Sequence, residues 1–427
     1  MGKLGIYVQV PFCQTKCTYC NFHTGVVASS RFAPYVEAVC REIRGHRELL
    51  RAAGVGGNGC LGEDGGRSSG APLQRQSGAP SEKNLEVDTV YIGGGTPSLL
   101  DPAHLQNILD AIRETFREGA EGEGGSGRKS GVEPPHSKEV TLEADPETVG
   151  AEKVAAWGAA GINRVSFGLQ SFSDKELVAA GRMHRRADIY RAVPILREAG
   201  IRNISFDLIA GLPYQTKESW RQSLEELKVL APEHVSVYLL EIDEGSRLGR
   251  ELLHGGGKYS AGAVPSEDDM AEFYEMAQES LGAAGYHHYE ISNWAKPGYE
   301  SRHNLKYWRR EPYLGFGAGA HSFSGTERWA NAHDAASYVS AVQNGRLPVE
   351  QHEKLTAESA LEEELFLGLR QLDGIDLGRI EREYGTTLAG KFDPLELAGL
   401  VERDGTLVRL APGKLSVSNE VFVELMR

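Results

Sequence analysis

The sequence predicts an α/β fold built around a parallel sheet. Six short apolar runs rich in Val and Ile, at residues 4–10, 87–92, 139–144, 164–169, 203–209 and 234–242, have the composition of strands covered on both faces. Stretches with helical spacing separate them, and strand–helix alternation is the signature of parallel strands joined by helical crossovers. Several of these runs also end in glycine or polar residues, at the C-terminal strand ends where α/β folds collect ligands. The alternation alone leaves open whether the sheet is doubly wound or curls into an open or closed barrel.

The elements follow in order. Residues 32–53 place Val36, Val39, Ile43 and Leu50 near one helical face. The helix at 102–116 begins after Asp101, a natural N-cap, with Pro102 at the first helical position. Helices at 151–160, 174–199 and 217–230 complete the alternation, and Gly161 and Gly200 stand where helix-ending glycines belong. Residues 54–84 and 119–138 are rich in Gly, Ser, Pro and charge, and read as flexible surface insertions away from the ligand-collecting end. Beyond residue 242 come a glycine loop at 255–257, an acidic helix at 266–284 capped by Ser266, and a strand at 286–294. The expected organisation is a parallel unit over 1–245, an extension over 246–350 and a last domain over 351–427. That domain reads as helices at 358–371, 377–384 and 395–402 with a hairpin through 407–410 and 415–417, an α+β, winged-helix-like unit. The acidic run Glu358, Glu362, Glu363 and Glu364 points to packing or docking there rather than to nucleic acid.

A net charge of −14 argues against a general nucleic-acid binder, which neutralises phosphates with Lys and Arg. No apolar run is long enough for a membrane span. Residues 1–6 lead into a strand with no signal-like apolar region, so a cytoplasmic, reducing location is expected.

Cys13, Cys17 and Cys20 lie within eight residues. A cubic iron–sulfur cluster normally takes four cysteines, so three would leave one iron open to a ligand that is not protein. Zinc is the alternative, but it favours paired doublets, and His23 would be an irregular fourth ligand. Unrelated free thiols are a further alternative. Cys40, on the first helix, and Cys60, in the first insertion, are not expected to join the trio.

Other strand ends carry chemistry. Gly93-Gly94-Gly95-Thr96-Pro97 would let backbone approach a ligand closely, or simply make a tight turn. Glu143 sits in an apolar strand pattern, where it could accept hydrogen bonds from a ribose or lie exposed. Gln170 marks the tip of the fourth strand. Arg182 could pair with a ligand carboxylate or face solvent. Asp207 lies in an apolar strand, costly unless partnered.

Tyr7-x-x-x-Pro11-Phe12-Cys13-x3-Cys17-x-Tyr19-Cys20, Gly93-Gly94-Gly95-Thr96-Pro97 and Asp207-Leu208-Ile209-x-Gly211-Leu212-Pro213 together resemble the radical S-adenosylmethionine superfamily. Within it, residues 4 to about 330 resemble the oxygen-independent coproporphyrinogen III oxidase-like group. The resemblance implies a partial (β/α)6 barrel and a [4Fe–4S] cluster on Cys13, Cys17 and Cys20. It implies that S-adenosylmethionine chelates the open iron and is cleaved to a 5′-deoxyadenosyl radical. Tyr7, Gly94, Gly95, Thr96, Glu143, Gln170, Arg182 and Asp207 would surround that ligand, with the backbone of Tyr19 close by.

Two departures separate the chain from the oxidases. Phe22 stands where they carry a further cysteine, and the first strand begins at residue 4 without their longer covering segment. Gln9 replaces a common histidine. His303-Asn304-x-x-Tyr307-Trp308 instead resembles the HemW haem chaperones, where the pattern is linked to haem. His303 offers an imidazole to iron, and Tyr307 and Trp308 offer flat apolar surface. Read from the residues alone, the same segment is a loop histidine with two core aromatics. His321 is a second imidazole, suited to a structural or cavity role. The resemblance implies haem as cargo, haem-accepting proteins such as respiratory enzymes at the inner membrane face, an electron donor and a homodimer, with no nucleic acid. The alternatives are oxidative decarboxylation of coproporphyrinogen III and a radical alkyl or methyl transfer.

Overall fold

A computed structural model describes residues 2–52, 85–116 and 138–426. The insertions expected at 54–84 and 119–138, with Cys60, lie outside the described residues apart from Lys138. In chain order the first part is β1 (Gly2–Val10), α1 (Phe32–Ala52), β2 (Leu85–Gly94), α2 (Pro102–Thr115), β3 (Glu139–Ala144), α3 (Ala151–Ala159), β4 (Arg164–Gln170), α4 (Asp174–Ala179), α5 (Arg186–Glu198), β5 (Asn203–Ala210), α6 (Lys217–Leu230) and β6 (His234–Leu239). There follow α7 (Arg247–Leu253), α8 (Glu267–Ala283), β7 (His287–Glu290), β8 (Asn293–Ala295), α9 (Arg302–Trp308), β9 (Tyr313–Phe316), β10 (His321–Phe323), β11 (Glu327–Asn331), α10 (Ala335–Gln343) and β12 (Val349–Lys354). The last elements are α11 (Ala357–Gly368), β13 (Ile375–Asp376), α12 (Leu377–Tyr384), α13 (Ala389–Leu397), β14 (Val401–Asp404), β15 (Leu407–Leu410) and α14 (Ser418–Leu425).

One sheet organises the fold, in the order β12-β11-β10-β9-β1-β2-β3-β4-β5-β6-β8-β7. The strands from β9 through β6 run parallel, and antiparallel strands extend both edges. The sheet is curled and open, not a closed barrel. Strand periodicity divides its two faces. Ile6, Val8, Val90, Ile92, Leu142, Val165, Phe167, Ile204, Phe206, Val235 and Val237 join the core under the crossover helices. The alternate positions carry Tyr7, Gln9, Thr89, Tyr91, Thr141, Glu143, Arg164, Ser166, Ser205, Asp207, His234 and Ser236. The concave face is therefore a polar lumen.

The helix expected over 174–199 is two helices. Gly181 adopts φ +77°, the chain turns, and α5 restarts where the Arg185 N–H donates to Asp188 Oδ2 at 2.9 Å. The strand expected over 286–294 is the pair β7 and β8, and β6 stops at Leu239. Gly161 and Gly200 do end their helices, at φ +95° and +87°. Asp101 accepts from the Ala103 N–H at 2.8 Å, as an N-cap should.

The last domain packs α11–α13 against a small sheet ordered β13-β15-β14, a winged-helix-like arrangement. Its hairpin lies one strand earlier than expected: Gly405 turns β14 into β15, and residues 412–417 form a 3-10 helix. Helix α13 ends before Gly399, also earlier than expected. Arg310, nearly fully buried, pairs with Glu363 and Glu364 of α11. The guanidinium of Arg370 lies 4.6 Å over the Trp308 ring, and Arg309 donates to Gln371 at 3.1 Å. The acidic helix is thus matched by basic residues of the barrel extension. Among the described residues, no helix is long and apolar enough to cross a membrane.

Buried Glu42 ties α1 to the extension. Its carboxylate accepts from Tyr338 Oη at 2.5 Å, Asn331 Nδ2 at 2.7 Å and the Gly317 N–H at 2.9 Å. Burial nevertheless raises its pKa to about 7, against hydrogen bonds that act to lower it. A carboxyl raised in the folded state favours folding most below its unfolded value, and that contribution is lost as pH climbs toward 7. Relative to Glu42→Gln, the wild type should lose about 3 kcal/mol of stability across that window. Parallel denaturant-midpoint profiles against pH for the two proteins would refute this.

Candidate functional site

The loop after β1 carries the cysteines and is tied down by backbone. Cys13 N–H donates to Gly25 O at 3.0 Å, and Gly25 N–H to Pro11 O at 2.9 Å. Thr18 N–H donates to Ala180 O at 3.0 Å, and Thr18 O accepts from Leu248 N–H at 2.8 Å. The loop is thus clamped between the end of α4 and the start of α7, and Arg247 also donates to Lys16 O. From β2, Gly95 N–H donates to Val10 O at 2.8 Å and Thr96 N–H to Phe12 O at 2.7 Å. A Cβ on Gly95 would lie 2.5 Å from Phe12 O and 2.9 Å from Cys13 Sγ. Only glycine permits that crossing.

Cys17 is buried, and Cys13 and Cys20 are half-buried. All are free thiols. Burial pushes the Cys13 and Cys20 thiols up, neighbouring sulfurs add to the rise, and Thr24 opposes it. Thiolate ligands to a metal centre would release these protons on binding. Among the described residues no three Cys, His, Asp or Glu side chains converge as a single ion requires. A cubane makes no such demand, because each cysteine holds a different iron. Arg182 Nη1 donates to Cys17 Sγ at 3.5 Å, a cation beside a sulfur that would carry charge. The residues present therefore fit a cluster held at three corners.

The neighbouring strand ends form one wall of polar groups. Glu143 Oε2 accepts from the Gly94 N–H at 2.8 Å, and its Oε1 from Tyr91 Oη at 2.9 Å. Burial and then the opposing donors, with nearby Asp207 and Asp145, leave its pKa raised to about 7. Gly94 adopts φ +117° with Gln9 packed against it. Gln9 Oε1 accepts from Tyr7 Oη at 2.5 Å. Asp207 accepts from Ser166 Oγ at 3.1 Å, and burial raises its carboxyl. Arg182 pairs with Asp145 and donates to Gly168 O at 2.6 Å. Thr96 Oγ1 donates to the other Asp145 oxygen at 3.2 Å. Gln170 sits at the tip of β4 at φ +67°, in the left-handed region, and Tyr19 is half-buried beside the cysteines. The expected residues around the cysteine loop thus gather on one mouth of the lumen.

His303, Tyr307 and Trp308 lie elsewhere, on α9 rather than on a loop. His303 is buried. Its Nδ1 meets Thr89 Oγ1 at 2.8 Å and its Nε2 meets Tyr307 Oη at 2.9 Å. Its ring stacks 5.3 Å from Tyr91, and burial with the nearby Lys306 charge lowers its pKa to about 3. It is a neutral imidazole with both nitrogens engaged, closing the floor of the lumen. Trp308 is half-buried beneath Arg370. His321 lies exposed on β10, and Cys40 is buried on α1, away from the cysteine loop.

Three participants escaped the sequence. Asp145 is the partner that orients Arg182, and its place directly after β3 was the available signal. Tyr91 alternates with apolar neighbours and so reads as a lumen position in hindsight. Arg164 opens β4 and is buried, with Nε and Nη1 lacking hydrogen-bond partners. Nothing in an apolar run distinguishes a lumen cation from a strand-end one.

Comparison with known proteins gives the chain's relatives. Residues 79–227 match the radical SAM superfamily, and residues 355–412 match the HemN C-terminal domain. Proteins of the former generally bind a [4Fe–4S] cluster and S-adenosylmethionine. The haem chaperone HemW of Bacillus subtilis is 33% identical over 97% of this chain and 97% of its own. The haem chaperone HemW of Escherichia coli is 32% identical, over 75% of this chain and 70% of its own. The coproporphyrinogen III oxidase HemN of Escherichia coli has the same fold, with a TM-score of 0.76, 21% identity and coverage of 99% of this chain and 90% of that one.

Gly95→Ala should cut the iron and sulfide taken up on anaerobic reconstitution several-fold, because overpacking there costs about 1–3 kcal/mol. Gly150→Ala, with open space around its Cβ position, is the control. Equal iron content in the two variants would remove Gly95 from the site.

Proposed function

The chain belongs to the HemW family within the radical S-adenosylmethionine superfamily, and on that premise we propose that it is a haem chaperone, taking up haem and delivering it to acceptor proteins. The observation that carries this reading is likeness to haem chaperones along nearly the whole chain. Phe22, where the oxidases have a further cysteine, supports it against coproporphyrinogen oxidation. In this reading Cys13, Cys17 and Cys20 hold a [4Fe–4S] cluster. When bound, it supplies an electron to S-adenosylmethionine at its open iron.

The protein's own contribution is positional. Tyr7, Gly94, Gly95, Thr96, Glu143, Gln170, Arg182, Asp207 and the backbone of Tyr19 form the S-adenosylmethionine pocket. Glu143 offers an anionic acceptor to hydroxyl donors, and Asp145 keeps the Arg182 guanidinium turned toward Cys17. His303, Tyr307 and Trp308 are the family's haem-linked residues. For His303 to meet iron, its bond to Thr89 or to Tyr307 must open. The cytoplasm, an electron donor, a homodimer and acceptors such as respiratory enzymes at the inner membrane face belong to the same reading.

Anaerobic, reconstituted and reduced protein incubated in parallel with haem and with coproporphyrinogen III tests it. Haem should be recovered unchanged and protein-bound, with coproporphyrinogen intact. Formation of protoporphyrinogen IX would overturn the chaperone reading in favour of the oxidase. Cys17→Ala should lose the broad blue absorbance of the cluster, and full retention would refute the ligand set. Because Glu143 titrates near 7, S-adenosylmethionine affinity should rise between about pH 6 and pH 8 and flatten in Glu143→Gln. The same slope in both proteins would exclude Glu143 from the pocket.

A further inference from the structure

Arg164 is the one lumen charge that the strands around it leave unanswered. It opens β4 and is 1% exposed, with Nε and Nη1 lacking hydrogen-bond partners. Asp207 is near enough to feel the guanidinium charge, yet bonds Ser166 instead. Burying an unpaired cation is costly, and a partner that arrives from outside is a physical reason to keep one.

Strand register shows what stands beside it. Tyr7 pairs with Tyr91, Tyr91 with Thr141 and Thr141 with Arg164, in one row across the sheet. Thr141 Oγ1 is buried and is also without a hydrogen-bond partner. A cation and a hydroxyl thus sit on neighbouring strands, about 5 Å apart at the backbone. The rest of the row is aromatic. The rings of Tyr7 and Tyr91 lie 6.1 Å apart, and His303 stacks on them at 6.3 and 5.3 Å. Glu143 pairs with Ser166 two residues further along the same strands, about 7 Å toward the mouth. The row therefore lies beneath the groups assigned to S-adenosylmethionine.

Open donors flanked by flat rings suit a carboxylate carried on an apolar body. A guanidinium and a carboxylate form charge-assisted bonds of matching planar geometry. The carboxylates of Asp207 and Glu143 nearby disfavour a doubly charged phosphate. We propose that Arg164, with Thr141, is a carboxylate-binding subsite on the floor of the lumen, for a ligand whose body lies along Tyr7, Tyr91 and His303. Arg164 is covered in this structure, and its charge reaches His303. The opening that frees His303 from Thr89 or Tyr307 also uncovers Arg164. The carboxylate belongs to a propionate arm of haem or to a free organic acid. The first source rests on the haem-carrying reading above, and the second does not.

Haem and haem dimethyl ester, titrated into reconstituted full-length protein and followed by the Soret band, test the first source. Wild type should bind haem about tenfold or more tighter than the ester, the worth of a hydrogen bond to a charged group. Arg164→Gln should bind the two alike, Arg164→Lys should recover part of the difference, and Thr141→Val should lose part of it. Iron and sulfide taken up on reconstitution should stay at the wild-type level in all three, and the ester comparison in wild type needs no variant to fold. For the second source, sodium propionate without haem should raise the melting temperature of wild type above that in sodium chloride of equal ionic strength, and not that of Arg164→Gln. Discrimination against the ester assigns the subsite to haem, and stabilisation by propionate alone assigns it to a free acid. Equal binding of haem and ester in wild type, with no effect of propionate, would overturn the subsite and leave the chaperone reading standing. So would discrimination that persists undiminished in Arg164→Gln. Absence of any Soret shift in wild type would instead overturn haem carriage, with the propionate comparison then deciding the subsite alone.

Discussion

The close crossing of two backbones at Gly95 is the constraint on which the site rests. The loop leaving β1 and the turn leaving β2 meet there, with Thr96 donating to Phe12 O at 2.7 Å. That contact fixes where Cys13 stands relative to the sheet. The parallel register of β1 and β2 carries the same alignment down to the strand starts. A parallel sheet is suited to the task, because every strand delivers its C-terminal end to the same side. The clamps from α4 and α7 on Thr18 then hold the far end of the cysteine loop.

The division between the two faces of the sheet gives the site its depth. Apolar side chains of the six inner strands turn toward the helices and form the core, so the opposite face is free to be polar. Three of the charged groups there are arranged in partnership: Arg182 with Asp145, Asp207 with Ser166, Glu143 with Tyr91 and the Gly94 N–H, while two nitrogens of Arg164 lack hydrogen-bond partners. Unpartnered burial of such groups would be costly. Arg182 links this wall to the cysteines, since one guanidinium reaches Asp145, Gly168 O and Cys17 Sγ.

Much of this was legible from residues alone, and the failures have physical causes. The strand at 139–144 and the helix at 217–230 were read to their observed bounds, because apolar periodicity and caps agree there. The break at Gly181 was not, because helical spacing continues across it and the cap that restarts α5 uses Arg185, an unusual N-cap residue. The ligand-facing types at strand ends could be named from pattern, whereas their partners could not. Asp145 meets Arg182 only through the fold. Depth was the other hidden quantity. The His303 motif names an imidazole but not that Thr89 and Tyr307 occupy its nitrogens.

The contact of Arg370 and Gln371 with Trp308 and Arg309 gives the winged-helix-like domain a task remote from its shape. It braces from outside the short helix that stoppers the cavity. A chain cut back to residue 355 would keep every cysteine and every group around the mouth, yet its base plate would have lost the buttress behind it. Leakage of water through that base, rather than any change at the metal centre, is how such a shortened protein would first differ from the intact one.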